Sequence, residues 1–132
     1  MDPTQFLQGG SVTVSDETYA VCRTAESHPA AFATITDDTE TTVVVEQDEL
    51  DTLDADAVER GWKRLTFEME LPFELVGFLA AVATSLAEAD VSVFVLSSYS
   101  TDHVFVQAVD IDPAVSKLDT LGCTVSQPNS SG

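Results

Sequence analysis

Lysine is nearly missing from this chain of 132 residues. Lys63 and Lys117 are the only two, and lysine plus arginine together number five. Against them stand 23 aspartates and glutamates, for a formal charge of −18 and a pI near 4.1. With so few cations the chain has no basic face for a phosphate backbone, so no nucleic-acid partner is expected. An anionic membrane surface is excluded on the same ground. Long apolar runs are also absent. The longest, near Leu75–Ala83, is interrupted by Gly77 and is far too short to span a bilayer. Residues Met1–Gly10 have neither the basic nor the apolar region of a secretory signal, so a cytoplasmic location is expected.

Cysteine and histidine are just as sparse. Cys22 and Cys123 lie far apart with no CxxC spacing, which excludes a disulfide framework or a cysteine-built zinc site. They read as reduced, small apolar residues, with one long-range disulfide as the other reading. His28 and His103 are the two histidines. His103 follows Asp102, but neighbours on a strand point to opposite faces, so an acid–base pair is not expected. No Gly-rich phosphate loop, G-x-S-x-G elbow or H-E-x-x-H pair occurs. The acidic stretch of Asp48, Glu49, Asp51, Asp54 and Asp56 lacks the glycine and alternation of a calcium loop and reads as a solvated face. A catalytic residue, a metal and a cofactor are all unexpected.

What is present is an ordinary core under an unusual surface. Apolar residues make up 44% of the chain, enough for one domain or two very small units. Solvent-facing positions are filled with Asp, Glu and Thr. Such a surface repels itself in dilute buffer and is relieved when salt screens it, so we read a halophilic, acidic cytosolic protein.

The pattern changes near residue 60. Tyr19–Arg23, Ala33–Thr36 and Thr42–Glu46 are short runs rich in β-branched and aromatic residues, and turn chemistry bounds them at His28-Pro29 and Asp37–Glu40. Asp48–Glu59 carries helical spacing at Leu50, Leu53, Ala57 and Val58, with Asp48 available as a cap, and predicts one helix or two turns ending near Gly61. From Lys63 the signals sharpen. Leu65, Phe67, Met69 and Leu71 alternate with polar residues as in a strand, and Pro72 stops it. Glu74–Ala89 has one apolar stripe and predicts a helix. Val91–Leu96 and Val104–Val109 predict strands, with a polar turn at Ser97–Asp102. A further helix follows, with Asp112 as N-cap and Pro113 at its first position, and Cys123–Val125 adds a short strand. The order strand, helix, strand, strand, helix, strand, with one apolar stripe per helix, predicts an α+β, ferredoxin-like βαββαβ unit whose helices cover one face of a four-stranded antiparallel sheet. The domain reading is therefore a smaller degenerate unit over 10–60, a complete unit over 61–126, and flexible ends at 1–9 and 127–132.

Two stretches carry a family likeness. One is Leu71-Pro72-Phe73-Glu74-Leu75-Val76-Gly77-Phe78-Leu79-Ala80, and the other is Val91–Val106 with Ser97-Ser98-Tyr99-Ser100-Thr101-Asp102 at its centre. In this order and separation they resemble the ACT domain, a small ferredoxin-like regulatory module that binds amino acids. The nearest likeness is a short tandem-ACT family similar to the ACT pairs of aspartokinases and of the animal arginine sensor. A weaker resemblance extends over Tyr19–Glu46. It implies a non-catalytic regulatory protein that binds a free amino acid or similar metabolite. It also implies a homodimer formed through free strand edges and a possible partner enzyme of amino-acid metabolism. The alternative is a structural or protein-interaction ACT module without ligand that modulates a separately encoded enzyme.

The resemblance places the pocket where the two stretches meet across facing ACT units, with Phe73, Glu74, Leu75, Val76, Gly77, Ser98, Thr101 and Asp102 as the ligand-binding residues. The chemistry suits a zwitterion. A helix N-terminus leaves amides for an α-carboxylate, and the turn offers hydroxyls and a carboxylate for an ammonium or guanidinium. Plainer readings stand beside these. Ser98–Asp102 also reads as a simple hairpin turn with a local Asp102 bond, Phe73 as a core plug, Gly77 as a packing glycine and Glu74 as a complement to the helix dipole.

Overall fold

The computed structural model describes Gln5, residues 7–69 and residues 77–127. The chain separates into two compact units, one made of Met1–Asp16 with Lys63–Gly132 and the other of Glu17–Trp62. The division is therefore not a single cut near residue 60, because the N-terminal segment belongs to the later unit. Eight strands and two α-helices are present among the described residues: β1 Ser11–Val14, β2 Tyr19–Thr24, β3 Ala33–Thr36, β4 Thr41–Glu46, β5 Ala55–Phe67, α1 Phe78–Glu88, β6 Val93–Ser97, β7 Asp102–Gln107, α2 Ile111–Thr120 and β8 Thr124–Ser126. β5 is continuous across the boundary, with its residues up to Trp62 in one unit and those from Lys63 in the other.

The Glu17–Trp62 unit is a sheet in the order β3-β4-β2-β5. Alternation sets its register. Ala20 and Cys22 face Val45 and Val43 on one side of the β2–β4 pair, and these four make the buried core, with Leu50, Leu53, Ala55 and Val58 packed against it. Of the two readings of Asp48–Glu59, one helix or two turns, the single helix does not form. A 3-10 helix covers Gln47–Thr52 and the chain is in β5 from Ala55. Leu50 and Leu53 are three apart, which a 3-10 turn satisfies as well as an α-helix does. Val58 pairs with Cys22 in the sheet instead of completing a helical stripe. A β-bulge between the Tyr19 and Val21 pairings absorbs the mismatch near Gly61, whose φ is +89°.

The other unit has the α+β architecture expected, with one addition. β6 pairs with β7, β7 with β5, β5 with β1, and β1 with β8, so the sheet has five strands rather than four. Ser11–Val14 wedges between the first and last strands of the βαββαβ run, antiparallel to β5 and parallel to β8. Val12, Val14, Leu65, Phe67, Val104 and Val106 point to one face, where Phe78, Val82 and Leu86 of α1 and Ala114 and Leu118 of α2 bury against them. Leu7 is fully buried in this core, and the Gly9 amide donates to the Gly122 carbonyl at 2.9 Å. Residues 1–4 and 6 of one expected flexible end and 128–132 of the other lie outside the described residues. α2 begins at Ile111 with Asp110 as N-cap, so Asp112 and Pro113 sit inside its first turn. Proline is tolerated there because first-turn amides have no intrahelical acceptor. Both cysteines are buried free thiols, Cys22 in one unit and Cys123 in the other, and burial raises both pKa values. No described helix is long and apolar enough to cross a membrane.

Candidate functional site

A cleft of about 370 Å³ opens at one end of the five-stranded sheet, and one unit supplies all of its described lining. One wall is the start of α1, Gly77–Ala80, and the other is the β6–β7 connection, Ser97–Asp102. The wall-to-wall geometry depends on Phe67, the last residue of β5. Its ring meets the Phe78 ring edge-on at 5.3 Å and 83°, which fixes the first turn of α1. Its carbonyl accepts a 2.8 Å bond from Thr101 Oγ1, which fixes the turn. Both walls are therefore anchored on one buried residue, itself 1% exposed.

Gly77 precedes α1 as its N-cap at φ +88° and ψ −4°, with no side-chain cap bond among the described residues. A left-handed residue here lets the chain turn into the helix, a conformation that glycine adopts without a Cβ penalty. The described helix starts at Phe78, and the part of the expected helix from Glu74 to Val76 lies outside the described residues. The first intrahelical bond of this turn runs from the Ala81 amide to the Gly77 carbonyl at 3.0 Å. The amides of Phe78, Leu79 and Ala80 belong to the first turn of the helix, and the helix dipole adds partial positive charge at this wall.

The opposite wall is a tight hairpin. Ser97 pairs with Asp102 in the ladder, and the Ser98 amide donates to the Thr101 carbonyl at 2.9 Å. Asp102 Oδ1 accepts from Ser97 Oγ at 2.6 Å, which holds the carboxylate at the cleft. Behind the turn runs a chain of side chains on the sheet face away from the helices. Arg64 Nη1 donates to Thr66 Oγ1 at 2.8 Å, which lies 3.3 Å from His103 Nδ1, and His103 Nε2 lies 3.4 Å from Ser98 Oγ. Ser98 Oγ in turn donates to the Thr101 carbonyl at 3.0 Å. We assign the neutral Nε2–H tautomer to His103, because it gives Thr66, His103 and Ser98 one donor and one acceptor role each. Burial lowers the His103 pKa, and Arg64 lowers it further. His103 thus braces Ser98.

Of the residues that the sequence put forward, Gly77, Ser98, Thr101 and Asp102 line this one cleft. All four belong to a single unit. Phe73, Glu74, Leu75 and Val76 lie outside the described residues. Phe78, Leu79, Ala80, Ser97, Tyr99 and Ser100 also line the cleft and were not singled out as ligand-binding, although they sit inside the two quoted stretches. Phe67 carried no sequence signal beyond its place in an alternating strand. Among the described residues, no group of His, Cys, Asp and Glu side chains is arranged to hold a metal ion.

Comparison with known proteins agrees with this fold. No curated protein matches the sequence. A structural-genomics protein from Agobacterium tumefaciens shares the fold at TM-score 0.78 and 21% identity, over 94% of this chain and 97% of that one. A Vibrio cholerae protein of unknown function aligns at TM-score 0.72 and 28% identity, over 88% and 92% of the two chains. The ligand-free regulatory subunit of aspartate kinase from Thermus thermophilus aligns at TM-score 0.63 and 10% identity, over 85% and 95%. Residues 57–120 match the family model described as ACT domain. The chain thus has a ferredoxin-like α+β fold similar to that of ACT domains, and the cleft at the start of α1 lies within the matched residues.

Proposed function

We propose that this protein is a non-catalytic regulatory ACT module that binds a free amino acid in the cleft between Gly77–Ala80 and Ser98–Asp102. The observation that carries this reading is the pairing of a helix start with a hydroxyl-and-carboxylate turn across about 370 Å³. The two walls are complementary to the two ends of a zwitterion. The signal has a physical route. A ligand that engages both walls changes the load on Phe67, which anchors them, and on the Ser98–His103–Thr66 chain behind the turn. A shift between two arrangements of this end of the sheet is then biased by the ligand's differential affinity for them.

The same reading takes the Glu17–Trp62 unit as a degenerate second ACT unit. Its strand order β3-β4-β2-β5 repeats the order β6-β7-β5-β8 once β1 is set aside, with its first helix replaced by a loop and its second by a 3-10 helix. A cytoplasmic homodimer acting on a separately encoded enzyme completes the proposal. Unpaired strand edges on β3 and β6 are the surfaces through which two copies would join.

The test is a thermal-shift screen of the full chain against the twenty amino acids in molar KCl. A ligand held at a hundred times its Kd adds about 2.7 kcal/mol to stability and raises Tm visibly. A flat response to all twenty leaves the interaction module without ligand as the better reading.

A further inference from the structure

We infer that the connection over residues 25–32 is a strap on the core of the Glu17–Trp62 unit, latched by the neutral ring of His28 and released when that ring takes up a proton. Every group involved belongs to this unit, so the inference is independent of the cleft beside α1. The strap joins β2 to β3, and its Ala31 packs on the core of Ala20, Cys22, Val43 and Val45. It also forms one wall of a second cleft, of about 350 Å³, whose other wall is Thr52–Asp54.

The latch is a ring with a bond at each nitrogen. The His28 side chain is 12% exposed. Its Nδ1 lies 3.1 Å from the Ala30 amide, which can only donate, so Nδ1 is the bare nitrogen and Nε2 carries the hydrogen. Nε2 donates to Thr52 Oγ1 at 2.8 Å, and Thr52 Oγ1 passes its own hydrogen to the Glu49 carbonyl at 2.7 Å. A proton can therefore be added only at Nδ1, where the new N–H faces the Ala30 N–H, donor against donor. The bond to Ala30 is lost and the strap loses its pin. The Thr52 bond survives, because Nε2 keeps its hydrogen.

The surroundings favour the charged ring. Glu49 Oε2 lies 4.0 Å from Nε2. Glu26 and Asp54 line the same cleft, whose described lining includes no lysine or arginine. Asp48 and Asp51 lie on the same 3-10 helix as Glu49. Two sets of partners thus pull one ring in opposite directions: the Ala30 amide holds the neutral form and the carboxylates hold the cation. Imidazole is the side chain whose charge ordinarily changes between about pH 5 and 8, so a single proton in that range moves the strap. Its release uncovers Leu53, which lines the cleft and packs on the same core.

Amide-exchange and imidazole NMR of the full chain in molar KCl, between about pH 5 and 8, tests this. The Ala30 amide is expected to be protected at the upper end. Its protection factor, corrected for the intrinsic pH dependence of exchange, should fall about tenfold or more at the lower end. The fall should share the midpoint of the His28 ring signals. Glu49→Gln should move that midpoint to lower pH by a few tenths of a pH unit, the size expected of an exposed ion pair. His28→Asn offers a side-chain oxygen that does not titrate and should make Ala30 protection independent of pH. A constant Ala30 protection factor while the His28 ring titrates overturns the inference. So does a pH response of Ala30 that persists in His28→Asn, or a midpoint left unmoved by Glu49→Gln.

Discussion

Thr101 and His103 do different jobs on the two faces of the same hairpin. The Thr101 hydroxyl ties the turn to the Phe67 carbonyl. Replacing it with valine keeps the shape and removes the bond, at a cost of about 1 kcal/mol for a half-buried hydrogen bond. The midpoint of urea denaturation should fall accordingly, and the variant should lose ligand affinity because the turn is no longer held. His103 is held neutral, its pKa lowered first by burial and then by Arg64 from the ordinary 6.5. Below pH 6.5 the unfolded chain takes up a proton that the folded chain resists. Stability therefore falls as pH drops from 6.5 to the lowered value, and the contribution of this residue levels off beneath it. His103→Gln should remove that part of the pH dependence, read as the difference between wild-type and variant denaturation midpoints across pH 5 to 7. A parallel pair of curves would contradict the assignment. The sequence already indicated that Asp102 and His103 would point apart, since period-two alternation requires it. It carried no sign of the brace between His103 and Ser98, which exists only because β7 lies beside β5.

At the scale of elements, the start of α1 decides whether a cleft exists. Gly77 is left-handed, and an alanine there costs about 1–2 kcal/mol in backbone strain or else tilts the first turn of α1. The expected outcome for Gly77→Ala is a lower Tm together with weaker ligand binding. Phe67→Leu tests the common anchor more selectively. It keeps the core filled and removes a ring pair worth about 0.5–1.5 kcal/mol, so the protein should fold and bind poorly. Phe67→Leu with native affinity would contradict the anchoring role. The elements that were legible share a property. In β2 and β4, alternating apolar residues meet partners in the same phase, and in α1 Phe78, Val82 and Leu86 repeat every four residues. Asp48–Glu59 misled because Leu50, Leu53, Ala57 and Val58 satisfy a helical count while Val58 is drawn into the sheet by Cys22. β1 was hidden for another reason. Four residues, Ser11–Val14, are too short to announce themselves, and their place between β5 and β8 is set by residues more than fifty positions away.

For the whole molecule, charge governs behaviour. Five cations among 23 acidic groups leave repulsion that the native core must overcome in dilute buffer. Tm should rise steeply between low and molar KCl, and a flat dependence would contradict the reading of the surface as adapted to salt. The family likeness rested on two stretches that the fold brings to one cleft, at least through Gly77 and Ser98–Asp102. The backbone placed that cleft within one unit, which no spacing of residues along the chain could have indicated.

The central claim is that the start of α1 and the β6–β7 turn hold one small ligand between them. The most direct measurement is a backbone amide NMR titration of the isotope-labelled protein with the best ligand from the amino-acid screen. The account predicts saturable shifts that are largest at Gly77, Phe78, Leu79, Ser98 and Thr101 and that share a single Kd. Shifts confined to other parts of the chain, with these five amides unmoved at saturation, would contradict it.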